Sequence, residues 1–260
     1  ILDALDHGVS KIILGIGGSA TNDGGSGMLS ALGVKFLDAN HVPLKPGGEQ
    51  LANLTHIDVS SLDKRLKDVH FEVACDVTNP LLGTNGATAV YGPQKGATQK
   101  MIPKLDSALT NYHAMIEQEL HTHVKDIPGA GAAGGLGAGI LAFFNASLSK
   151  GIDIVLQETH FSERVKDADL VITGEGKMDA QTIYGKTPIG VAKATKAHHI
   201  PVIALCGSLD EDYQAVYQHG IDSVFSIIEQ PEDIATLLDN GERNLTHTAE
   251  NVARVLKQLT

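Results

Sequence analysis

Three of the four glycine-rich stretches in this sequence carry or adjoin small polar and acidic side chains. These are Ser19, Thr21, Asn22 and Asp23 in the first, Asp76, Thr78 and Asn79 just before the second, and Glu175 and Asp179 in the last. Carboxylates beside such turns are what Mg²⁺-dependent phosphoryl transfer requires: oxygen ligands for the metal, main-chain N–H donors for the phosphates, and a base for the acceptor hydroxyl. Lys95, between Pro93 and Gly96, and Lys186, beside a helix start expected at Thr187-Pro188, are candidate fixed cations for a phosphate or a substrate carboxylate. The third stretch, Gly129 to Gly139, bears no such side chains. Its Gly131, Gly134 and Gly135, like Gly17 and Gly18 of the first, would offer backbone donors alone. Taken singly, each Asp or Asn also reads as a turn former bonded to a nearby N–H. Their recurrence beside separate turns is what points to one shared site.

The elements around these residues read as α/β. Glycine numbers 28 in 260 residues, and 20 of them fall in the four stretches, each next to an apolar run, where a backbone turns sharply or approaches a ligand. Lys11 to Leu14, Val34 to Leu37 and Phe71 to Cys75 read as strands, and Met28 to Leu32 as a short helix. After Pro103 comes an amphipathic helix with Leu105, Ala108, Leu109, Tyr112, Met115, Ile116 and Leu120 on one stripe. From about Arg164 strand and helix alternate: strand Asp169 to Thr173, a helix N-capped by Thr187, strand Pro201 to Cys206, a short helix Tyr213 to Gly220, strand Ser223 to Ile228, and a final helix Asn244 to Leu259. That order predicts a doubly wound parallel sheet, with ligands beyond the carboxyl ends of the strands, where it puts Gly174-Glu175-Gly176 and Gly207-Ser208. The opening residues Ile1 to Gly8 have helical spacing from the first position, so a preceding segment is expected.

Composition narrows the class. Hydrophobic residues at 42% and charged residues at 20% describe a soluble globular chain, not a disordered tail or a fibre. A net charge of −11 without a basic cluster argues against nucleic acid or an anionic membrane as partner. No stretch approaches the roughly 18 apolar residues of a membrane span. Cys75 and Cys206 each end an apolar run and read as small buried thiols, so a reducing, cytoplasmic setting is expected. The pairs His121/His123 and His198/His199 lack a zinc-site frame and read as surface residues.

Three motif matches lose on context. Gly15-Ile16-Gly17-Gly18-Ser19-Ala20, with Asp38 following, fits a dinucleotide fingerprint, but Gly24, Gly25 and Gly27 would occupy the first turns of the helix it needs. Gly129 to Gly134 fits the same pattern without a preceding strand. Ala180-Gln181-Thr182-Ile183-Tyr184-Gly185-Lys186-Thr187 imitates a P-loop, yet it stands off its strand and carries bulky Ile183 and Tyr184.

Five segments together resemble the bacterial type I glycerate kinase family: Ile16 to Gly25; Asp76-Val77-Thr78-Asn79-Pro80-Leu81; Tyr91-Gly92-Pro93-Gln94-Lys95-Gly96-Ala97; Pro128 to Gly135; and Ile172-Thr173-Gly174-Glu175-Gly176 through Asp179, Gln181, Thr182, Gly185, Lys186 and Pro188. The resemblance spans essentially all 260 residues in the family's order. It implies ATP-dependent phosphorylation of D-glycerate, usually to 2-phosphoglycerate, with Mg²⁺ and small molecules as the only partners, and it is silent on oligomeric state. It also implies a flavodoxin-like parallel-sheet domain with a second α/β domain inserted into it. On that mapping residues 1–163 supply most of the insertion and 164–260 the last three strands of the flavodoxin-like sheet. The family's leading segment, with its A-P-D-S-F-K and A-D-G-G-E-G stretches, is not in this sequence, so the chain alone is expected to lack one wall of an interdomain cleft. In the expected site, Asp179, Asp23, Glu175 and Lys186 are catalytic. Gly17, Gly18, Ser19, Asn22, Asp76, Asn79, Lys95, Gly131, Gly134 and Gly135 bind substrate or phosphate, and Asp179 and Asp76 are metal ligands. Asp179 is the first choice as base or metal ligand. The competing readings are an NAD-dependent oxidoreductase built on Gly15 to Ala20 and Asp38, and a non-catalytic binder of small hydroxy acids.

Overall fold

Branched apolar residues between glycine turns build two separate parallel sheets in the computed structural model, which describes residues 1–259 and divides into two compact units, residues 1–151 and residues from 152 onward. The first unit contains α1 (Leu2–Asp6), β1 (Lys11–Gly15), α2 (Ser26–Ala31), β2 (Lys35–Leu37), β3 (His56–Asp58), β4 (His70–Ala74), α3 (Ala87–Tyr91), α4 (Ile102–Leu120), α5 (Ala132–Phe143) and β5 (Ala146–Ser149). β1, β4 and β5 pair in parallel in that order, with Ile12 opposite Phe71 and Phe71 opposite Ala146; β2 and β3 form an antiparallel pair. The amphipathic helix forms as α4 with Pro103 in its first turn, and Ala108, Leu109, Tyr112 and Ile116 of the expected stripe are buried. Its stripe also takes in His113, which is only 2% exposed.

The first unit ends at Gly151, the first residue of α6 (Gly151–Glu158); the second unit holds the rest of α6, α7 (Phe161–Val165), β6 (Val171–Met178), α8 (Thr187–Lys196), β7 (Val202–Leu209), β8 (Ser223–Ser226), α9 (Ile234–Asp239) and α10 (Gly241–Leu259). β6, β7 and β8 are parallel neighbours in sequence order, as the alternation predicts. Val165, Val171, Met178, Ala192, Val202, Ala204, Cys206 and Val216 form their core. The short helix expected from Tyr213 to Gly220 is a 3₁₀ helix, Tyr213–His219, closed by Gly220.

Two expectations about the strand ends are corrected. Gly174-Glu175-Gly176 lies inside β6, and Gly207-Ser208 inside β7, with Gly174 paired to Leu205 and Lys177 to Ser208. The glycine is needed for sheet packing: a Cβ on Gly174 would stand 2.2 Å from the Leu205 carbonyl oxygen. The chemistry-bearing end of β6 is therefore Met178-Asp179. Thr187 is the first helical residue of α8 and Lys186 its N-cap, one position earlier than expected, without a side-chain capping bond.

Candidate active site

β1 and β4 end side by side, with Gly15 opposite Ala74, and beyond their carboxyl ends the first unit opens a cavity of about 390 Å³. Its wall combines the first glycine turn (Gly15 to Ser19), the segment Ala74 to Val77, and Tyr91, Gln94 and Lys95. Ala132 and Ala133 complete it. Lys95 ends a short 3₁₀ turn, Pro93–Lys95, stopped by Gly96 in the left-handed region. Its ammonium donates at 2.7 Å to Ser19 Oγ and at 2.7 Å to the Thr21 carbonyl. An ammonium has three donors, so one remains for a ligand. Burial pulls the Lys95 pKa below the ordinary lysine value, and the nearby charge of Asp23 only partly opposes this.

The third glycine turn shapes this wall from behind. Ala133, Gly134 and Gly135 all take left-handed backbone angles, so the regular helix of α5 begins after them, not at Gly131. Gly134 carbonyl accepts from Gly24 N at 3.0 Å, and a Cβ on Gly134 would fall 2.0 Å from the Thr21 carbonyl oxygen. Gly131 N donates to the Asn79 carbonyl at 2.9 Å. The first three glycine stretches thus meet on one another.

Of the expected residues in this unit, Gly17, Gly18, Ser19, Asp76 and Lys95 line the cavity, while Gly131, Gly134, Gly135, Asn22, Asn79 and Asp23 are engaged in the scaffold around it. Asp23 Oδ1 accepts from Gly25 N, and its Oδ2 from Gly27 N and Ser26 Oγ, which starts α2. Asn22 Nδ2 donates to buried Thr88 Oγ1 at 2.9 Å. Asn79 accepts from Tyr91 Oη at 2.6 Å and donates to the Asn85 carbonyl at 2.8 Å. Asp76 Oδ1 accepts from Gly151 N, at the start of α6. Tyr91 and Gln94, which stand in the third family segment without a role, also line the cavity, as does Cys75. Burial, with the neighbouring charge of Asp76, raises the Cys75 thiol pKa, and the thiol donates to the Val77 carbonyl at 3.3 Å.

In the second unit Asp179 caps the 3₁₀ turn Ala180–Tyr184, its Oδ1 accepting from Thr182 N at 3.1 Å. Lys186 Nζ reaches the same oxygen at 3.3 Å. Burial works to raise the Asp179 pKa, but Lys186 and the turn amides outweigh it and hold the carboxyl below its ordinary value. Glu175, on β6, accepts from Thr182 Oγ1 at 2.6 Å. Asp179, Glu175 and Lys186 are thus one cluster, and Thr182, at 0% exposure, joins it; the fifth family segment includes Thr182 but the sequence reading gives it no role. The spacing Asp-x-x-Thr of a capping box could have revealed it. Because Lys186 is paired with Asp179 and its loop is a capped 3₁₀ turn, the P-loop likeness has no structural counterpart.

A hard divalent cation takes oxygen ligands, and both expected metal ligands fit that chemistry: Asp179 is held ionised and Asp76 is an exposed carboxylate at a strand's carboxyl end. A different trio, His113, Glu117 and His123, also brings ligand atoms together. Its members bond one another: His113 Nδ1 lies 3.2 Å from Glu117 Oε2, His123 bonds both Glu117 and Asp126, and His113 Nε2 accepts from Val124 N and Lys125 N. No helix among the described residues is long and apolar enough to cross a membrane.

The family model described as "Glycerate kinase family" matches residues 1–257. The chain is similar to a glycerate kinase of Halalkalibacterium halodurans, 54% identical over 98% of this chain and 67% of that one. It is 56% identical to a glycerate kinase of Haemophilus influenzae over 97% of this chain and 67% of the relative. A glycerate 2-kinase of Escherichia coli is 51% identical, again over 67% of its length. A crystal structure from Salmonella typhimurium, described as a candidate glycerate kinase 2, superposes with a TM-score of 0.87 at 52% identity, covering 99% of this chain and 67% of that one. The sequence therefore spans about two thirds of the length of each of these proteins.

Proposed function

We infer that this chain, which belongs to the glycerate kinase family, transfers a phosphoryl group from ATP to glycerate. The observation that carries the reading is the meeting of three glycine turns at the carboxyl ends of β1 and β4, around the half-buried ammonium of Lys95. A small organic acid needs little else: a fixed cation for its carboxylate and main-chain N–H groups for its remaining oxygens.

Lys95 holds the anionic end of the substrate, with Ser19 and the Thr21 carbonyl fixing its position. Gly17 and Gly18 supply backbone donors. In the first unit Asp76 is a proposed Mg²⁺ ligand, and in the second Asp179, held ionised beside Lys186, is the proposed base or metal ligand; Mg²⁺ held by such a carboxylate would neutralise phosphate charge. Phosphoryl transfer passes through a loose transition state, so a carboxylate of low basicity suffices to orient the hydroxyl. We propose the 2-hydroxyl as acceptor, a cytoplasmic setting, and the division of the chain into most of an inserted α/β domain (1–163) and the C-terminal part of a flavodoxin-like domain (164–260).

The oxidoreductase reading is not favoured. No helix opens after Gly15 to Ala20 until Ser26, and Asp38 is used up in its own turn, accepting from Asn40 N and Val42 N. Incubating the full-length enzyme with ATP, Mg²⁺ and a panel of hydroxy acids tests the reading. ADP release with glycerate and formation of 2-phosphoglycerate are expected. Binding of glycerate without ADP release would overturn the kinase assignment, and 3-phosphoglycerate as product would overturn the choice of hydroxyl.

A further inference from the structure

We propose that Thr182 is a positioning residue for phosphoryl transfer, its buried hydroxyl tying the carboxylate of Glu175 to the turn that carries Asp179. The proposal rests on the reading of Glu175 and Asp179 as working carboxylates. Thr182 is completely buried, yet its Oγ1 lies 2.6 Å from Glu175 Oε1, 3.2 Å from Asp179 N and 3.3 Å from Asp179 Oδ1. A hydroxyl has one proton to give. The shortest distance assigns it to Glu175, as a bond of the strong, charge-assisted kind, and the oxygen then accepts the Asp179 N–H. Asp179 Oδ1 is left to accept from Thr182 N and Lys186 Nζ.

One side chain thus fixes two carboxylates on different elements, the first within a strand and the second at the turn that follows. A capping turn needs only the bonds between Thr182 and Asp179. The bond to Glu175 serves neither the turn nor the strand, because the Glu175 backbone is already paired to Cys206 in the β6–β7 ladder. Its effect is to hold a charged side chain at a set distance from Asp179, the arrangement that a transferring phosphoryl group and its metal would meet.

The test uses the full-length enzyme. Thr182→Val keeps the shape and removes the hydroxyl, whereas Thr182→Ser keeps the hydroxyl. We expect Thr182→Val to lower kcat about 10-fold or more with KM for glycerate and ATP within about threefold, and Thr182→Ser to stay within about threefold of wild type in kcat. Placed on Glu175→Gln, Thr182→Val should cost no further activity, since the hydroxyl acts through that carboxylate. Wild-type kcat in Thr182→Val, equal losses in the Val and Ser variants, or a full additional loss in the double variant would each overturn the proposal. If Glu175→Gln and Asp179→Asn themselves turn over at the wild-type rate, the carboxylate reading fails and takes this proposal with it. If they lose activity and Thr182→Val does not, only the positioning role fails. Should Thr182→Val not fold by circular dichroism, Thr182→Ala against Thr182→Ser makes the same comparison.

Discussion

The ammonium of Lys95 lies 2.7 Å from the hydroxyl of Ser19, a residue 76 positions earlier in the chain, and this bond joins the second glycine stretch to the first across the mouth of the cavity. Replacing Lys95 by Met removes the one fixed cation in that wall. Loss of a preorganised donor of this kind costs on the order of 10²-fold in kcat/KM, and the loss should fall mainly on the KM for glycerate. Steady-state kinetics of the full-length variant check it; an unchanged KM would move the carboxylate subsite elsewhere.

Lys95 also sets an alkaline limit. Burial depresses its pKa, so the cation is lost as pH rises through a value below the ordinary 10.5. The pH profile of kcat/KM should therefore fall on its alkaline side before free lysine would titrate, and the Lys95→Arg variant, which stays charged, should lack that limb.

Gly134 and Gly17 separate structural from ligand-facing glycines. Gly134 has φ +71, and a Cβ there would lie 2.0 Å from the Thr21 carbonyl oxygen. Gly134→Ala should cost about 3 kcal/mol from backbone strain and overlap together, measured by urea unfolding. Nothing lies within 4 Å of a Cβ on Gly17. Gly17→Ala should therefore change stability by less than about 0.5 kcal/mol while raising the substrate KM, because the methyl group occupies cavity space.

Asp179→Asn keeps a good capping side chain and discards the charge. Its melting temperature should stay near wild type while kcat drops by about 10²-fold or more. Asp179→Ala should lose about 1 kcal/mol of stability in addition. A thermal melt beside the kinetics distinguishes the two effects.

His113 makes stability depend on acid. Its Nε2 accepts from Val124 N at 3.2 Å and Lys125 N at 3.1 Å, so the ring must be neutral at that nitrogen. Burial lowers its pKa from 6.5; Glu117 and Asp126 oppose this, while His123 and Lys125 reinforce it. The folded chain then binds fewer protons than the unfolded chain, and stability falls as pH drops through about 6.5 and below. His123 has the opposite sign, since its bonds to Glu117 and Asp126 raise its pKa, so His123→Ala should steepen the acid loss. His113→Leu should cost about 1–3 kcal/mol by leaving buried amides unpaired, and chemical unfolding across pH tests all three.

Sequence patterns revealed the elements whose apolar residues are periodic or consecutive. The stripe on α4 could be read because one face of it is buried against a core, and the run at Lys11 to Leu14 because its apolar residues are consecutive, although in the fold they are at most partly buried. β3 and β5 could not, being short and only partly buried, with alternating polar residues such as Ser147 and Ser149. The glycines at 174 and 207 looked like turns but are strand positions where neighbouring backbones come too close for a side chain, a reason that composition does not encode. Asp179 and Lys186 were legible from their types and spacing. The bond between Thr182 and Glu175 was not, because Glu175 lies on a strand whose true end falls later than the apolar run predicts.

The bare main chain of the third glycine stretch is pressed directly onto the first, with the Gly134 carbonyl bonded to Gly24. A cavity floored this way cannot be widened residue by residue, because any added carbon displaces a neighbouring strand of peptide before it reaches the ligand. Retooling the enzyme for a bulkier hydroxy acid would have to work through the side chains that line the cavity, among them Val77, Tyr91 and Gln94, leaving the floor untouched.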